Sequence, residues 1–496
     1  MKHTCVLGLV LFGFLNAAST APADRADATL ASSFGRRYAQ PGLPARPRLN
    51  KGTDAIHRWN QVAIDTSGYD HASAREQLGP GRASRAMAIV HIAMFDAMNA
   101  VTGDFESYTA VERPKGSISL DAAIAQAAHD TLVALFPSQS AHLHSLLNEE
   151  LSSVKDAKQK ERGILLGSRA ANVMMSLREG DGSELVEPVV GRDHITSPMP
   201  GRWRQDPISL IPLALGAYWS KCAPFVVESS QQFRCPPFPS MASPEYAAAY
   251  NEVKSLGGDA VHTPTARTPD QTVAGIYWAY DGTPSLCAPP RLYNQITVVI
   301  ADQRGTTGLE LARLLALVNV AMSDATLTCW ESKYYYDIWR PVTGIRESDA
   351  GTGPTGMGDG NDATVGDPLF YPLGAPASNL NGPNFTPPFP AYPSGHATMG
   401  GALFQTLRRY YGTDEIPFTF VSDELNGVTR DNTGAIRPLV PRSFANLSQA
   451  EEENGQSRIY LGIHWSFDKN EGITMGRRVA DYVFDNAFLP NPQTRH

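Results

Sequence analysis

Three short stretches of this chain hold residues whose types and spacing suit the binding of an oxyanion. The first is Lys333-Tyr-Tyr-Tyr-Asp-Ile-Trp-Arg340-Pro341, with two cations seven residues apart. On one helix face they would stand roughly 10 Å apart along the axis, close enough for two long side chains to converge on a small anion. Pro341 is expected to help end that helix. The second stretch is Pro390-Ala-Tyr-Pro393-Ser394-Gly395-His396, which runs into a helical pattern reaching Tyr411. A Ser-Gly pair opening a helix offers a hydroxyl, unpaired backbone N–H groups and the positive end of the helix dipole. The third is Ser457-Arg458-Ile-Tyr-Leu-Gly-Ile-His464-Trp-Ser-Phe-Asp468. Ser448 and Glu451 read as a capping box that puts Arg458 inside a helix, Gly462 loosens the backbone before His464, and Asp468 can hold one imidazole nitrogen of His464.

Each stretch alone has an ordinary alternative. Lys333 and Arg340 could be solvated charges on an amphipathic face, Ser394 a plain N-cap with His396 a polar first-turn residue, and His464 a buried histidine with its hydrogen bond satisfied. Together they supply three fixed cations, a hydroxyl, helix-start N–H groups and two histidines. That inventory fits a tetrahedral oxyanion that becomes five-coordinate, with cations and N–H groups on the equatorial oxygens and the histidines at opposite axial positions.

The elements that must position these residues are mostly helices. Apolar residues recur at three and four near 82–101, 119–135, 139–155 and 158–178, separated by short breaks, which is the pattern of a helical bundle. Residues 180–242 lose it and gather Pro, Trp and Cys, which reads as a long crossover. A second helical set is predicted near 244–256, 268–280, 306–324, 329–340, 396–411, 449–461 and 471–487. Between its members, residues 350–392 are dense in Gly, Pro, Asn and Asp, too long for a passive connector and of the kind that lines a site. Strand-like alternation is confined to Thr297–Ile300. The expected class is mainly α, with two four-helix-bundle-like halves at 51–242 and 243–496 and an extended arm over 24–50.

At 496 residues the chain exceeds one ordinary hydrophobic core. Hydrophobic residues make up 42% and charged residues 19%, a globular composition that excludes a disordered chain or a coiled coil. The formal charge of -8 argues against a nucleic-acid partner. Lys2 and His3, an apolar run from Cys5 to Leu15 and small residues up to Ala23 read as a signal peptide over 1–23, so a secreted or periplasmic protein without a membrane anchor is expected. Its removal leaves Cys222, Cys235, Cys287 and Cys329, with a Cys222–Cys235 disulfide slightly favoured over unpaired buried thiols. Asn384 and Asn446 begin glycosylation sequons.

In order, spacing and identity the three stretches resemble the vanadium-dependent haloperoxidases and the related type-2 phosphatidic acid phosphatases. Tyr277-Trp-Ala-Tyr-Asp281-Gly and Phe389-Pro-Ala-Tyr-Pro-Ser-Gly-His396 look like the haloperoxidase branch. The resemblance implies that His464 coordinates vanadium, that Lys333, Arg340, Ser394, the Gly395 N–H and Arg458 bind the other vanadate oxygens, and that His396 acts as acid or base when hydrogen peroxide binds. Asp281 looks like the carboxylate that supports Arg458, and Lys333 is the candidate to polarise bound peroxide. Trp330 and Phe389 would form the halide pocket, because members of the family that oxidise chloride often carry Phe at the place of Phe389. The partners implied are hydrogen peroxide, a halide and an organic acceptor, with neither haem nor flavin. A phosphatase would use the same pocket differently, with His464 as nucleophile and His396 protonating the leaving alcohol. A silent anion-binding protein predicts a broken pocket, and none of the seven positions is broken.

Overall fold

The computed structural model describes residues 22–112 and 115–492, so most of the expected signal peptide lies outside the described residues. The first helical set comprises α1 (Pro22–Ser33), α2 (Ala55–Ala72), α3 (Gly79–Thr102), α4 (Leu120–Leu135), α5 (Ser140–Ser153) and α6 (Ala157–Leu177). After the crossover come α7 (Pro244–Leu256), α8 (Pro269–Tyr277), α9 (Pro289–Arg304), α10 (Gly308–Tyr336), α11 (Pro341–Arg346) and α12 (Gly395–Tyr411). An antiparallel hairpin, β1 (Phe418–Asn426) and β2 (Leu439–Phe444), precedes α13 (Leu447–Tyr460) and α14 (Ser466–Asn486). The protein is mainly α.

Small residues explain how tightly the helices pack. A Cβ on Gly163 of α6 would stand 2.5 Å from the Ser119 carbonyl oxygen, so α6 lies directly against the start of α4. In the second set, Gly401 of α12 faces the Ile473 backbone of α14, and a Cβ on Gly476 of α14 would overlap the Thr398 carbonyl of α12. Such contact leaves no room for a larger side chain. Helix α10 joins the two sets: it packs on α3 to one side and on α12 and α14 to the other. Every residue from Leu311 to Lys333 is buried. By length and composition α10 could cross a bilayer, yet its apolar stretch is wholly enclosed by protein.

Several sequence expectations need correction. The segments 306–324 and 329–340 are not two helices; α10 is continuous to Tyr336 because the intervening Asp324 to Thr328 are buried and hydrogen-bonded within it. The arm over 24–50 is extended only after α1, whose Leu30, with Phe34, packs against Ile211 and Phe385. Thr297–Ile300 is helical, inside α9. Helix α2 escaped notice because it is buried on nearly every side and so lacks a polar stripe. The N-cap of α13 is Asn446, which accepts from the Gln449 N–H at 2.8 Å; Ser448 and Glu451 instead engage Asp414 and Arg408. No Cys222–Cys235 disulfide forms. Cys222 closes a turn at Trp219 while the Cys235 N–H donates to Ser332 on α10, and all four thiols are buried and unpaired.

The α12–α14 contact carries a direct test. Gly476→Leu forces these helices apart and is expected to lower stability by about 3 kcal/mol, read as a shift of the urea unfolding midpoint; an unchanged midpoint would contradict the close approach.

Candidate active site

Lys333 sits on the last turn of α10, but Arg340 does not share its helix. Asp337 adopts a left-handed conformation (φ 54°), its N–H capping the Lys333 carbonyl at 2.8 Å, and the chain turns away from the helix axis. Arg340 then occupies the extended N-cap position of α11, with Pro341 opening that helix rather than closing α10. The turn, and not a shared helix face, sets the position of Arg340 relative to Lys333. The Arg340 guanidinium donates through Nη1 to the Ile463 carbonyl and to Nε2 of His464, each at 2.8 Å, and through Nε to the Phe389 carbonyl at 2.8 Å. The Lys333 ammonium donates to the carbonyls of Pro390 and Ala391 at 2.9 Å and to that of Pro393, so its three protons tie the long loop to α10.

Ser394 caps α12, its hydroxyl accepting from the Ala397 N–H at 3.4 Å, and the first N–H groups of α12 open beside it. Gly395 leaves little room for a side chain: a Cβ there would stand 3.0 Å from the Trp330 ring, which would have to shift. His396 follows, and its Nε2 donates to the Ala279 carbonyl, which leaves Nδ1 as the basic nitrogen. Asp281 lies 4.0 Å from the same ring and accepts from Arg458 Nη2 at 2.6 Å.

His464 is held as a neutral ligand or nucleophile. Its Nδ1 donates to Asp468 at 2.7 Å, and the Arg340 N–H points at Nε2, so the lone pair is on Nε2. The same Asp468 oxygen accepts from the Trp465 N–H at 3.0 Å, capping α14. Gly462, with φ 72°, lets the chain reach this position against Gly257, whose carbonyl oxygen would lie 2.5 Å from any Cβ.

Residues the sequence did not single out complete the frame. Asn454, one helical turn before Arg458 on α13, and Tyr293 of α9 each donate to the His396 carbonyl at 3.0 Å, linking α9, α12 and α13 at one point. Glu424 of β1, paired with the buried Arg437, accepts from the Tyr280 N–H and so fixes the turn that delivers Asp281. The alternation of Phe418-Thr-Phe-Val and the Asp431-Asn-Thr-Gly434 turn were signals of that hairpin.

Burial dominates the electrostatics. It lowers Lys333 to about 7 and Arg340 to about 9, with neighbouring positive charge adding to the effect. Burial and the surrounding cations push His396 and His464 well below the usual imidazole range, so both are neutral. Burial raises Asp468 to about 7 and lifts Asp281 above the usual carboxylate range even beside Arg458. Among the described residues, Arg340 Nη2 and Arg458 Nε and Nη1 are buried donors without a partner. Leaving each unpaired costs about 1–3 kcal/mol. Guanidinium donors of two arginines, a helix start and an unprotonated imidazole nitrogen suit a tetrahedral oxyanion such as vanadate or phosphate.

Above this floor opens a narrow cleft with a free volume of about 50 Å³. Trp330 and Phe389 form part of its wall, with ring centroids 4.8 Å apart, and the Lys333 ammonium lies 5.1 Å from the Phe389 centroid.

Comparison with known proteins places this architecture. The family model described as the VCPO second helical-bundle domain matches residues 313–489, the span that carries all three stretches. Vanadium chloroperoxidase from Curvularia inaequalis is 31% identical over 500 residues, covering 84% of this chain and 79% of that protein. The crystal structure of the first bacterial vanadium-dependent iodoperoxidase shares the fold, with a TM-score of 0.69 at 20% identity over 88% of this chain and 97% of that one. A holo-type bacterial vanadium-dependent chloroperoxidase gives 0.59 at 16% identity, over 82% and 92%.

The unpaired arginine donors yield a binding test with inorganic phosphate as probe. Arg458→Ala removes two of them and is expected to weaken phosphate at least about tenfold, roughly 1.4 kcal/mol, by calorimetry; an equal affinity in both proteins would remove Arg458 from the anion shell.

Proposed function

This chain belongs to the vanadium chloroperoxidase family and is a haloperoxidase, and we propose that it oxidises chloride as well as bromide with hydrogen peroxide at the pocket between α10, α12 and α13. The observation that carries this is the set of three buried arginine nitrogens without partners, Arg340 Nη2 and Arg458 Nε and Nη1, beside the unprotonated Nε2 of a neutral His464, which accepts from Arg340 Nη1. Vanadate, when bound, supplies a Lewis acid that activates hydrogen peroxide for oxygen transfer to halide without changing oxidation state.

In this reading His464 is the one protein ligand to the metal, and Asp468 fixes its tautomer so that Nε2 faces the oxyanion. Arg340, Arg458, Ser394 and the Gly395 N–H hold the oxyanion oxygens. Asp281 orients Arg458 from behind. Lys333 adds positive charge close to the pocket and keeps Phe389 and the Pro390–Pro393 carbonyls in place. His396 is neutral and takes a proton from incoming peroxide at Nδ1 while Ala279 holds Nε2. Trp330 and Phe389 exclude water where a halide approaches, and a less hydrated chloride is easier to oxidise. Neither haem nor flavin enters this scheme. The apolar run behind Lys2 supports export, and with it a secreted or periplasmic site of action.

Metal-free protein is expected to gain peroxide-dependent halogenation on addition of orthovanadate and to lose it as phosphate competes. His464→Ala should no longer retain vanadate, whereas His396→Ala should retain it and lose about 100-fold or more in turnover. Equal vanadate retention in wild type and His464→Ala would contradict the ligand assignment. Hydrolysis of p-nitrophenyl phosphate without any halogenation would favour the phosphatase use of the pocket.

Halide choice is tested separately. Phe389→His is expected to reduce chloride turnover more than bromide turnover in steady-state assays from acidic to neutral pH. Bromide oxidation by the wild type with no chloride oxidation at any pH would defeat the chloride assignment.

A further inference from the structure

Tyr280 stands between two residues that serve the pocket through different atoms. On one side the Ala279 carbonyl accepts from Nε2 of His396, and on the other the Asp281 carboxylate accepts from Arg458 at 2.6 Å. Tyr280 itself is left-handed, with φ 45°, a conformation that a bulky side chain rarely adopts. The chain turns at this residue, and a backbone oxygen and the next side chain thereby reach two different helices, α12 and α13. Such a conformation is unfavourable and persists only where its surroundings over-determine it.

Strand β1 provides that hold. The Tyr277 hydroxyl donates to the Phe420 carbonyl at 2.9 Å, the Ser422 hydroxyl to the Tyr277 carbonyl at 2.6 Å, and the Asp423 N–H to the Tyr280 hydroxyl at 2.6 Å. The fourth contact is of a different kind. Glu424, fully buried and 144 residues further along the chain, accepts from the Tyr280 N–H at 3.2 Å through one oxygen. Its other oxygen accepts from Arg437 and, at 2.6 Å, from the Ser378 hydroxyl of the long loop. A buried ion pair is weak ground for stability, because well-packed apolar residues of similar volume often serve as well or better. An apolar pair would not supply an acceptor for the N–H of the left-handed residue.

We propose that Glu424 is a positioning residue for the oxyanion pocket: by accepting from Tyr280 it keeps the Ala279 carbonyl on His396 and the Asp281 carboxylate on Arg458. The proposal rests on the haloperoxidase reading and adds a residue that acts through others, since Glu424 does not line the pocket. Without that acceptor the Ala279 carbonyl is free to leave Nε2, and His396 no longer presents Nδ1 as its one basic nitrogen. Arg458 loses its backing from Asp281 at the same time. Misplacement of such groups by about 1 Å is enough to cost on the order of 100-fold in rate.

Two double variants of the full chain isolate the acceptor. Glu424→Gln with Arg437→Met keeps an amide oxygen for the Tyr280 N–H, whereas Glu424→Leu with Arg437→Met does not, and both lack the ion pair. In vanadate-free protein, calorimetry with inorganic phosphate is expected to give the glutamine variant an affinity within twofold of wild type and the leucine variant one at least fivefold weaker. Nitrogen NMR of the imidazoles is expected to show His396 protonated at Nε2 in wild type and the glutamine variant, and a mixture of tautomers in the leucine variant. With vanadate, peroxide and bromide, the leucine variant should lose at least tenfold in kcat while its KM for bromide stays within twofold, because Trp330 and Phe389 are not attached to this turn. Ser422→Ala removes another grip on the turn without touching a charge; it should weaken phosphate at least twofold, and it decides the matter if the leucine variant does not fold. Unchanged phosphate affinity and His396 tautomer in the leucine variant, or in Ser422→Ala where that variant stands in for it, would overturn the proposal. Equal losses in the two double variants would also overturn it, by assigning the effect to the ion pair. Absence of vanadate-dependent halogenation in wild type would instead count against the haloperoxidase reading, and the measurements on vanadate-free protein would still decide the role of Glu424.

Discussion

Three basic side chains buried away from water, Lys333, Arg340 and Arg458, face only two buried acidic ones, Asp281 and Asp468. Much of the second helical set serves this imbalance. Asp281 accepts from one nitrogen of Arg458, and one oxygen of Asp468 is taken by an imidazole and a helix N-terminus. The arginine donors left over have no protein acceptor among the described residues. An isolated charge in a low-dielectric interior is strongly unfavourable, and an anion arriving from outside would give these donors a partner, while Asp281 Oδ2 and Asp468 Oδ1 are themselves buried without one.

Holding such groups in place requires a stiff frame. Close backbone contact between α12 and α14 fixes the start of α12, where Ser394, Gly395 and His396 lie. The shared acceptor at the His396 carbonyl then couples α12 to α13, the helix that carries Arg458, through Asn454 and Tyr293. Glu424 does the same for the Tyr280–Asp281 turn from the hairpin. None of these partners touches the pocket, yet each removes a freedom that would let an oxyanion ligand drift.

The same dryness that raises the cost of the cations sets the state of the histidines. Positive neighbours and burial keep both imidazoles neutral, which leaves one lone pair for coordination or attack and another for proton transfer. Aromatic and aliphatic walls above the floor extend this dry region outward. Polar chemistry is thereby confined to the bottom of an apolar cleft, where every electrostatic contact is stronger than in water.

The helical class, most helix positions and the chemical content of the pocket were legible in the sequence, because apolar periodicity and short-range spacing are local properties. So was the Asp468–His464 pairing, since a buried imidazole demands an acceptor, whereas the Asp281–Arg458 pairing came only from the family resemblance. Local rules failed where tertiary contact overrode them. Helix α2 has no polar face because it is enclosed, α1 is helical because its apolar face is buried against the crossover and the long loop, and α10 runs on to Tyr336 because packing on both sides supports it. The sequence by itself determined which groups could bind an oxyanion. Only the tertiary structure decided that Arg340 reaches it after a left-handed turn at Asp337, that Lys333 is bound to three loop carbonyls, and that the N-terminal segment walls the cleft. The reason is physical: residue type and spacing state what a side chain can do, whereas burial and direction arise from segments that meet across hundreds of residues.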